Sequence, residues 1–109
     1  MQLPNRERAV IAEEKLTDYL LNVTHKRGGA KARLFEQFGY RAEQWPRLAD
    51  DIRAQLATEV DRERVTAYGV RYEIRMTLPT PVGRSLTVRT VWEIDDGTDF
   101  PRLITLFPD

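Results

Sequence analysis

Apolar and polar residues alternate most regularly in the second half of the chain. Across residues 70–78, and again across 86–94, apolar side chains take almost every second position, which predicts two strands with one buried face each. The pattern also predicts a third strand over residues 102–107, and it allows a fourth around residues 63–66. Because the connections between successive strands are short, we expect an antiparallel meander.

The first half of the chain has the 3.6-residue periodicity of helices instead. It predicts helical stretches over about residues 12–21, 29–38 and 42–57, with Gly39 in the left-handed position that commonly follows a helix. Helices that precede strands predict an α+β fold, in which the N-terminal helices pack on one face of a C-terminal meander of three to four strands. Since no repeat or linker interrupts the pattern, residues 1–109 are expected to form a single domain, helical to about residue 57 and sheet-forming from about residue 58.

The predicted outward face of the sheet carries alternating charges. Its charged members are Arg71, Glu73, Arg75, Arg89 and Glu93. Cross-strand pairs of arginine and glutamate at such positions commonly stabilise a sheet; alternatively, an arginine holds a phosphate while a glutamate acts as a base. Thr90 and Thr105 interrupt the apolar sets of neighbouring strands, so their hydroxyls can face each other across the ladder or contact a ligand.

The composition narrows the chemistry further. Seventeen basic residues balance 17 acidic ones, which disfavours a broadly basic nucleic-acid binder. One histidine and no cysteine exclude a disulfide scaffold, a thiol nucleophile and a multi-histidine metal site within the chain, so neither metal nor cofactor is expected. No apolar run reaches the roughly 18 residues of a membrane span, and no signal peptide is visible, so we expect a cytoplasmic protein without membrane contact.

The run from His25 to Arg33 combines four fixed positive charges with no acid. A glycine pair before a helix presents backbone N–H groups that suit a phosphate, and Lys31 and Arg33 can add charge-assisted contacts. The run lacks the spacing of a nucleotide-binding P-loop, so a solvated basic corner stays open as the alternative. His25 is the one side chain whose ordinary pKa lies near neutrality, so general acid–base catalysis at pH 7 falls to it first.

Several short motifs are distributed along nearly the whole chain. They are Leu3-Pro4-Asn5, Glu7 to Ile11, Lys15 to Asn22, His25, Gly28-Gly29, Lys31-Ala32-Arg33, Phe35, Phe38-Gly39-Tyr40, Trp45, Tyr68-Gly69, Val88 to Trp92, Pro101 to Thr105 and Phe107-Pro108. Together they resemble a bacterial domain-of-unknown-function family that is associated with polymorphic toxins.

More distantly, helices followed by a meander that ends in a Thr-x-x-Pro strand resemble the barnase–EndoU–colicin–RelE group of ribonuclease toxins. That resemblance implies a metal-independent endoribonuclease acting on RNA. In it His25 is the general base or acid, and Thr90 or Thr105 hydrogen-bonds a phosphate oxygen. The implied phosphate-binding residues are Lys31, Arg33 and Arg89. Leu106 and Phe107 stand where the pattern has a smaller residue and a tyrosine.

An alternative from a different class is a non-catalytic interaction module. The lack of a second histidine and the open sheet face motivate this hypothesis. The partner is then a neighbouring small protein, or a second copy that associates through the sheet face.

Overall fold

The structure, a computed structural model, describes residues 1–24 and 29–109 of the chain. Its regular elements are a 3-10 turn at Arg6–Arg8, a π-helix at Lys15–Leu20, α1 at Gly29–Gln37, a second 3-10 turn at Ala42–Gln44, α2 at Trp45–Ala54, and strands β1 at Arg62–Val65, β2 at Gly69–Leu78, β3 at Leu86–Asp95 and β4 at Arg102–Pro108. Helices precede a four-stranded sheet of order β1-β2-β3-β4, in which every neighbouring pair is antiparallel. The predicted α+β fold is therefore confirmed.

The helical elements differ in detail from the predicted stretches. The first is a wide π-helix, in which the Leu21 N–H donates to the carbonyl oxygen of Leu16, five residues back. The third stretch is divided into a 3-10 turn and α2, with Pro46 in the first turn of α2, where proline fits because it needs no hydrogen-bond partner there. Gly39 has φ +91°, as the helix-ending position requires.

The core lies between the helices and the inner face of the sheet. Its fully buried side chains include Leu16, Leu20, Phe35, Leu48, Ile52, Ile74, Leu78, Val88, Trp92 and Leu106. The apolar side chains of the helices and those of the strands thus pack together in one layer. In β4, Leu103 lies opposite Trp92 and Thr105 opposite Val91, so Ile104 is the extra residue of a β-bulge.

The outer face of the sheet carries ion pairs between its alternating charges. Glu93 is only 2% exposed, because two arginines lie across it. The Arg71 Nη2 donates to Glu93 Oε1 at 3.1 Å, and the Arg102 Nη2 donates to Glu93 Oε2 at 3.2 Å. Both arginines lie opposite Glu93 in the register, so the expected cross-strand pairing of arginine with glutamate is confirmed here, and the long arginine side chains cover the carboxylate.

Arg102 also holds Asp95 in a two-pronged contact, and this predicts a loss of stability in acid. The Arg102 hydrogen bonds, 2.6 and 3.0 Å long, lower the pKa of Asp95 below its ordinary 3.8. A carboxyl with a lowered pKa in the folded state stabilises the fold above the unfolded pKa, and this stabilisation is lost as the pH falls through the folded value. We therefore expect Arg102→Gln to lower the urea midpoint at pH 7 and to differ less from wild type below pH 3.

Urea titrations followed by tryptophan fluorescence at the two pH values test this prediction. Arg41→Gln is the matched control, because Arg41 is exposed and makes no ion pair with the described residues. A destabilisation by Arg102→Gln that is the same at both pH values would show that the contact is not electrostatic.

Candidate functional site

Helix α1 brings Lys31 to the sheet edge formed by β4. The Lys31 Nζ donates to Thr105 Oγ1 at 3.4 Å and to the Leu106 carbonyl oxygen at 3.3 Å. It also lies 5.4 Å from the ring centroid of Tyr19 and 5.9 Å from that of Phe107, within the range of cation–π attraction. We call Tyr19, Lys31, Thr105 and Phe107 the Lys31 corner.

Local packing fixes the start of α1 against the segment that precedes it. A Cβ added at Gly29 would lie 2.8 Å from the carbonyl oxygen of Val23, so only glycine fits at this close approach. The Arg33 Nη1 donates to the same Val23 oxygen at 3.4 Å. The helix therefore starts beside residue 23 with Lys31 directed toward β4.

Within residues 1–24 and 29–109, the edge of β4 is otherwise paired only near its beginning. There the Val10 N–H donates to the Pro101 oxygen at 2.8 Å, and the Leu103 N–H donates to the Val10 oxygen at 2.9 Å. Further along, Lys31 supplies a donor for the Leu106 carbonyl, which reduces the number of unsatisfied groups at this edge.

The ammonium of Lys31 has neutral partners, unlike the guanidinium groups of Arg71, Arg75, Arg89 and Arg102. Among residues 1–24 and 29–109, no carboxylate lies within ion-pair distance of it. An ammonium has three N–H donors, of which Thr105 and Leu106 take two. The Lys31 corner can therefore accept an anion without first losing an ion pair.

The remaining predicted phosphate-binding residues lie elsewhere. Arg33 follows Lys31 by two residues, and residues so spaced do not share a helix face; its side chain is exposed. Arg89 contacts three carboxylates, with its guanidinium 2.6 Å from Asp61, 3.3 Å from Glu73 and 3.2 Å from Asp109.

These contacts also shift the pKa values of Arg89 and Asp61 in opposite directions. The hydrogen bond that Arg89 donates to Asp61, with smaller contributions from the other two carboxylates, raises the pKa of Arg89, and the same bond lowers the pKa of Asp61. An anion at Arg89 would have to compete with three negative charges, so Arg89 belongs to an ion-pair cluster on the outer face and Lys31 does not.

Thr90 and Thr105 lie on opposite faces of the sheet. Thr90 is opposite Leu106 and Thr105 is opposite Val91, so the expectation that their hydroxyls can face each other is wrong. Thr90 is fully buried; its Oγ1 donates to the Ile74 carbonyl oxygen at 3.1 Å and accepts from Trp92 Nε1 at 2.8 Å. Both hydrogen-bonding functions of Thr90 are thus used in the core, while Thr105 is half-buried at the Lys31 corner.

Residues 2–109 match the model of a protein family described as Domain of unknown function (DUF6883). The chain belongs to this family. The predicted membership of a domain-of-unknown-function family is thereby confirmed, and the match extends over both the helices and the sheet. No curated protein sequence is significantly similar to this DUF6883 domain.

A solved structure shares the fold of the DUF6883 domain. It is described as a contact-dependent growth inhibition toxin–immunity protein complex from Klebsiella pneumoniae 342, and one of its chains aligns with a TM-score of 0.76 at 15% identity. The alignment covers 95% of this chain and 96% of that one. At this identity the similarity establishes the arrangement of helices and strands.

Two residues of the Lys31 corner were not predicted as site residues, namely Tyr19 and Phe107. Phe107 was noted only as a departure from a family pattern; it lies opposite Arg89 and is half-buried. His25, the predicted acid or base, lies outside the described residues.

Within the described ranges, no three histidine, aspartate or glutamate side chains are grouped so that they could hold a metal ion. In the same part of the chain, every helix is too short or too polar to cross a membrane.

Proposed function

We propose that this DUF6883 domain is a toxin-type, metal-independent endoribonuclease that binds the scissile phosphate at the Lys31 corner. The observation that carries the proposal is the Lys31 ammonium, which lies between two rings and beside the Thr105 hydroxyl without a carboxylate partner among the described residues. The fold shared with a chain of a toxin–immunity complex supports the toxin class, although fold similarity alone never assigns an activity.

Cleavage of RNA by this route needs few catalytic groups. The ribose 2′-oxygen attacks the adjacent phosphorus while the bond from phosphorus to the 5′-oxygen breaks, which leaves a 2′,3′-cyclic phosphate and a 5′-hydroxyl. His25 takes the 2′-hydroxyl proton or supplies the proton to the leaving oxygen, and water serves the other transfer. This role for His25 rests on the sequence alone.

The Lys31 corner supplies electrostatic stabilisation for the same step. Lys31 offsets the additional negative charge that develops on the phosphate oxygens as the 2′-oxygen attacks. Because the Thr105 oxygen accepts its hydrogen bond from Lys31, its own O–H is available to donate to a phosphate oxygen.

The charge balance of the chain sets the expected mode of RNA binding. With 17 basic and 17 acidic residues, attraction is confined to local contacts rather than spread over the surface. Each phosphate contact to single-stranded RNA contributes a slope of about −0.7 to the dependence of log affinity on log salt. We expect a shallow slope that corresponds to one or two phosphates.

The direct test is RNA cleavage by the full chain, made by cell-free synthesis to avoid toxicity. In buffer with EDTA, we expect RNA fragments with 2′,3′-cyclic phosphate and 5′-hydroxyl ends, while the same oligonucleotide with 2′-deoxyribose stays intact. Induced expression in a bacterium should slow growth, and His25→Ala should relieve this effect. Intact RNA after incubation, together with harmless expression of the wild type, would refute the proposal.

The second candidate function is a non-catalytic protein-interaction module. The outer sheet face does not favour it, because Arg71, Arg75 and Arg89 are all in ion pairs there. The exposed edge at β1 does favour it. Failure to recover a stable partner in a pull-down with the wild-type chain would argue against this function.

A further inference from the structure

We propose that the exposed edge of the sheet at β1 binds a β-strand of a partner protein that presents two carboxylates on one face. We call residues Arg62–Val65 with the turn Thr66–Tyr68 the β1 edge. It lies at the opposite end of the strand order from β4, so the inference is independent of RNA cleavage at the Lys31 corner.

The backbone of the β1 edge is accessible to a partner strand. All four residues of β1 are exposed, and in the described part of the chain β2 is the one strand that pairs with it. A strand at a sheet edge presents N–H and C=O groups at alternate residues, and these can pair with a strand of another protein.

Exposed apolar side chains mark the same place. Val65 is 79% exposed and Tyr68 is 74% exposed. No other large apolar side chain in the described ranges is as exposed as these two, and both belong to the β1 edge. A strand added beside β1 would cover Val65 and bring new contacts to Tyr68, because side chains of neighbouring strands pack in register.

Two arginines give the surface its charge preference. Arg62 lies opposite Glu73 and Arg64 opposite Arg71, so both project from the outer face. Neither lies within ion-pair distance of a carboxylate among the described residues. The other arginines of this face do have such partners; they are Arg71, Arg75, Arg89 and Arg102.

The spacing of these charges specifies the partner strand. Carboxylates two residues apart would lie opposite Arg62 and Arg64, and a basic residue between them would lie opposite Glu63. Opposite charges across a strand pair are favourable and like charges are unfavourable. The β1 edge therefore fits a strand with the pattern acid–base–acid.

The same rule disfavours a second copy of the chain as the partner. If two β1 strands pair in antiparallel with their helices on the same side of the joined sheet, residues of equal parity lie opposite each other. Arg62 then meets the Arg64 of the other copy, and Glu63 meets its own equivalent. Such like-charge contacts are a common protection against edge-to-edge association.

The test uses two backbone-cyclised β-hairpin peptides, because cyclisation reduces the entropy lost on binding. In one peptide the presented strand reads Thr-Val-Glu-Lys-Glu-Val-Thr, and in the other glutamate and lysine are exchanged. In a titration of the isotope-labelled full chain, we expect amide shifts for Arg62–Val65 and the following turn with the first peptide. The second peptide should bind at least tenfold more weakly.

Charge reversal in the protein sharpens the test. We expect the double variant Arg62→Glu, Arg64→Glu to prefer the second peptide, whereas Arg41→Glu, an exposed control, should bind like wild type. Both positions of the double variant are exposed, and thermal unfolding checks that it folds.

Four results would overturn the proposal. They are equal binding of the two peptides, shifts confined to β4, concentration-dependent dimerisation through β1 without peptide, and single-stranded RNA that shifts the β1 amides while neither peptide does. Dimerisation would show that the β1 edge binds a second copy of the chain, and the RNA result would show that it binds nucleic acid.

Discussion

Replacing Lys31 with alanine is expected to lower the rate of RNA cleavage about 10²- to 10³-fold, the usual effect of removing one group that stabilises developing negative charge. The loss follows from the position of the ammonium, which contacts Thr105 and Leu106 and no carboxylate among the described residues. The domain should stay folded, because Lys31 is only half-buried and its contacts lie at the sheet edge, outside the apolar core.

Single-turnover cleavage of a labelled oligonucleotide measures this effect, and circular dichroism confirms the fold. Arg33→Ala is the matched control in the same helix, since Arg33 is exposed and bonded to the Val23 oxygen. We expect it to retain most of the activity. Wild-type activity in Lys31→Ala, or an equal loss in Arg33→Ala, would contradict the assignment of the phosphate to the Lys31 corner.

The variant Thr105→Val tests how Thr105 and Lys31 share the stabilisation of the phosphate in the Lys31 corner. If Thr105 and Lys31 act on the same phosphate oxygen, their effects should not add, because neighbouring residues that share one partner are energetically coupled. Additive effects of the two single variants in the double variant would instead place them at independent sites.

The strands could be predicted closely because their pattern is local. Residues 70–78 and 86–94 were predicted from alternation, and the structure has β2 at Gly69–Leu78 and β3 at Leu86–Asp95. A strand with one buried face repeats every two residues, and nothing distant is needed to recognise it. The π-helix at Lys15–Leu20 was missed because the same apolar spacing is compatible with an ordinary helical turn.

The side-chain positions in β4 could not be predicted in the same way. Leu103, Ile104 and Leu106 are all apolar, so the sequence does not show where alternation shifts by one residue. The bulge at Ile104 determines which residue lies opposite Trp92. For this reason the sequence could identify Thr90 and Thr105 as candidate phosphate contacts, but it could not show that they lie on opposite faces of the sheet.

The Lys31 corner depends on contacts between segments far apart in sequence. Lys31 and Thr105 were both predicted as phosphate contacts, and the structure brings them to 3.4 Å. The distance depends on how α1 packs against the edge of β4, which local pattern does not determine. Similarly, the burial of Glu93 depends on Arg71 and Arg102, which come from the strands on either side of β3.

Replacing Gly69 with alanine is expected to destabilise the domain by about 3 kcal/mol or more, since it combines backbone strain with steric overlap. Gly69 has φ +155°, a conformation that side chains rarely adopt. An added Cβ would overlap the Ile94 carbonyl oxygen and lie 2.9 Å from the Asp95 Cα. These are backbone atoms of β3, so they cannot move away without separating the paired strands.

We expect the Gly69→Ala substitution also to disturb the turn between β1 and β2. The Gly69 carbonyl oxygen accepts from the Thr66 N–H at 2.7 Å and from the Thr66 hydroxyl at 3.0 Å. The same hydroxyl lies 3.4 Å from Glu93 Oε1. A displaced Gly69 therefore loosens both the β1 edge and the covered carboxylate.

Gly83→Ala is the control that isolates the steric part of the Gly69 effect. Gly83 also has a positive φ, +79°, but an added Cβ there meets nothing within 4 Å, so about 1 kcal/mol is expected from backbone strain alone. Urea denaturation of the two variants gives the difference in unfolding free energy. If both variants lose the same stability, the steric overlap with β3 at Gly69 does not contribute, which would contradict the prediction.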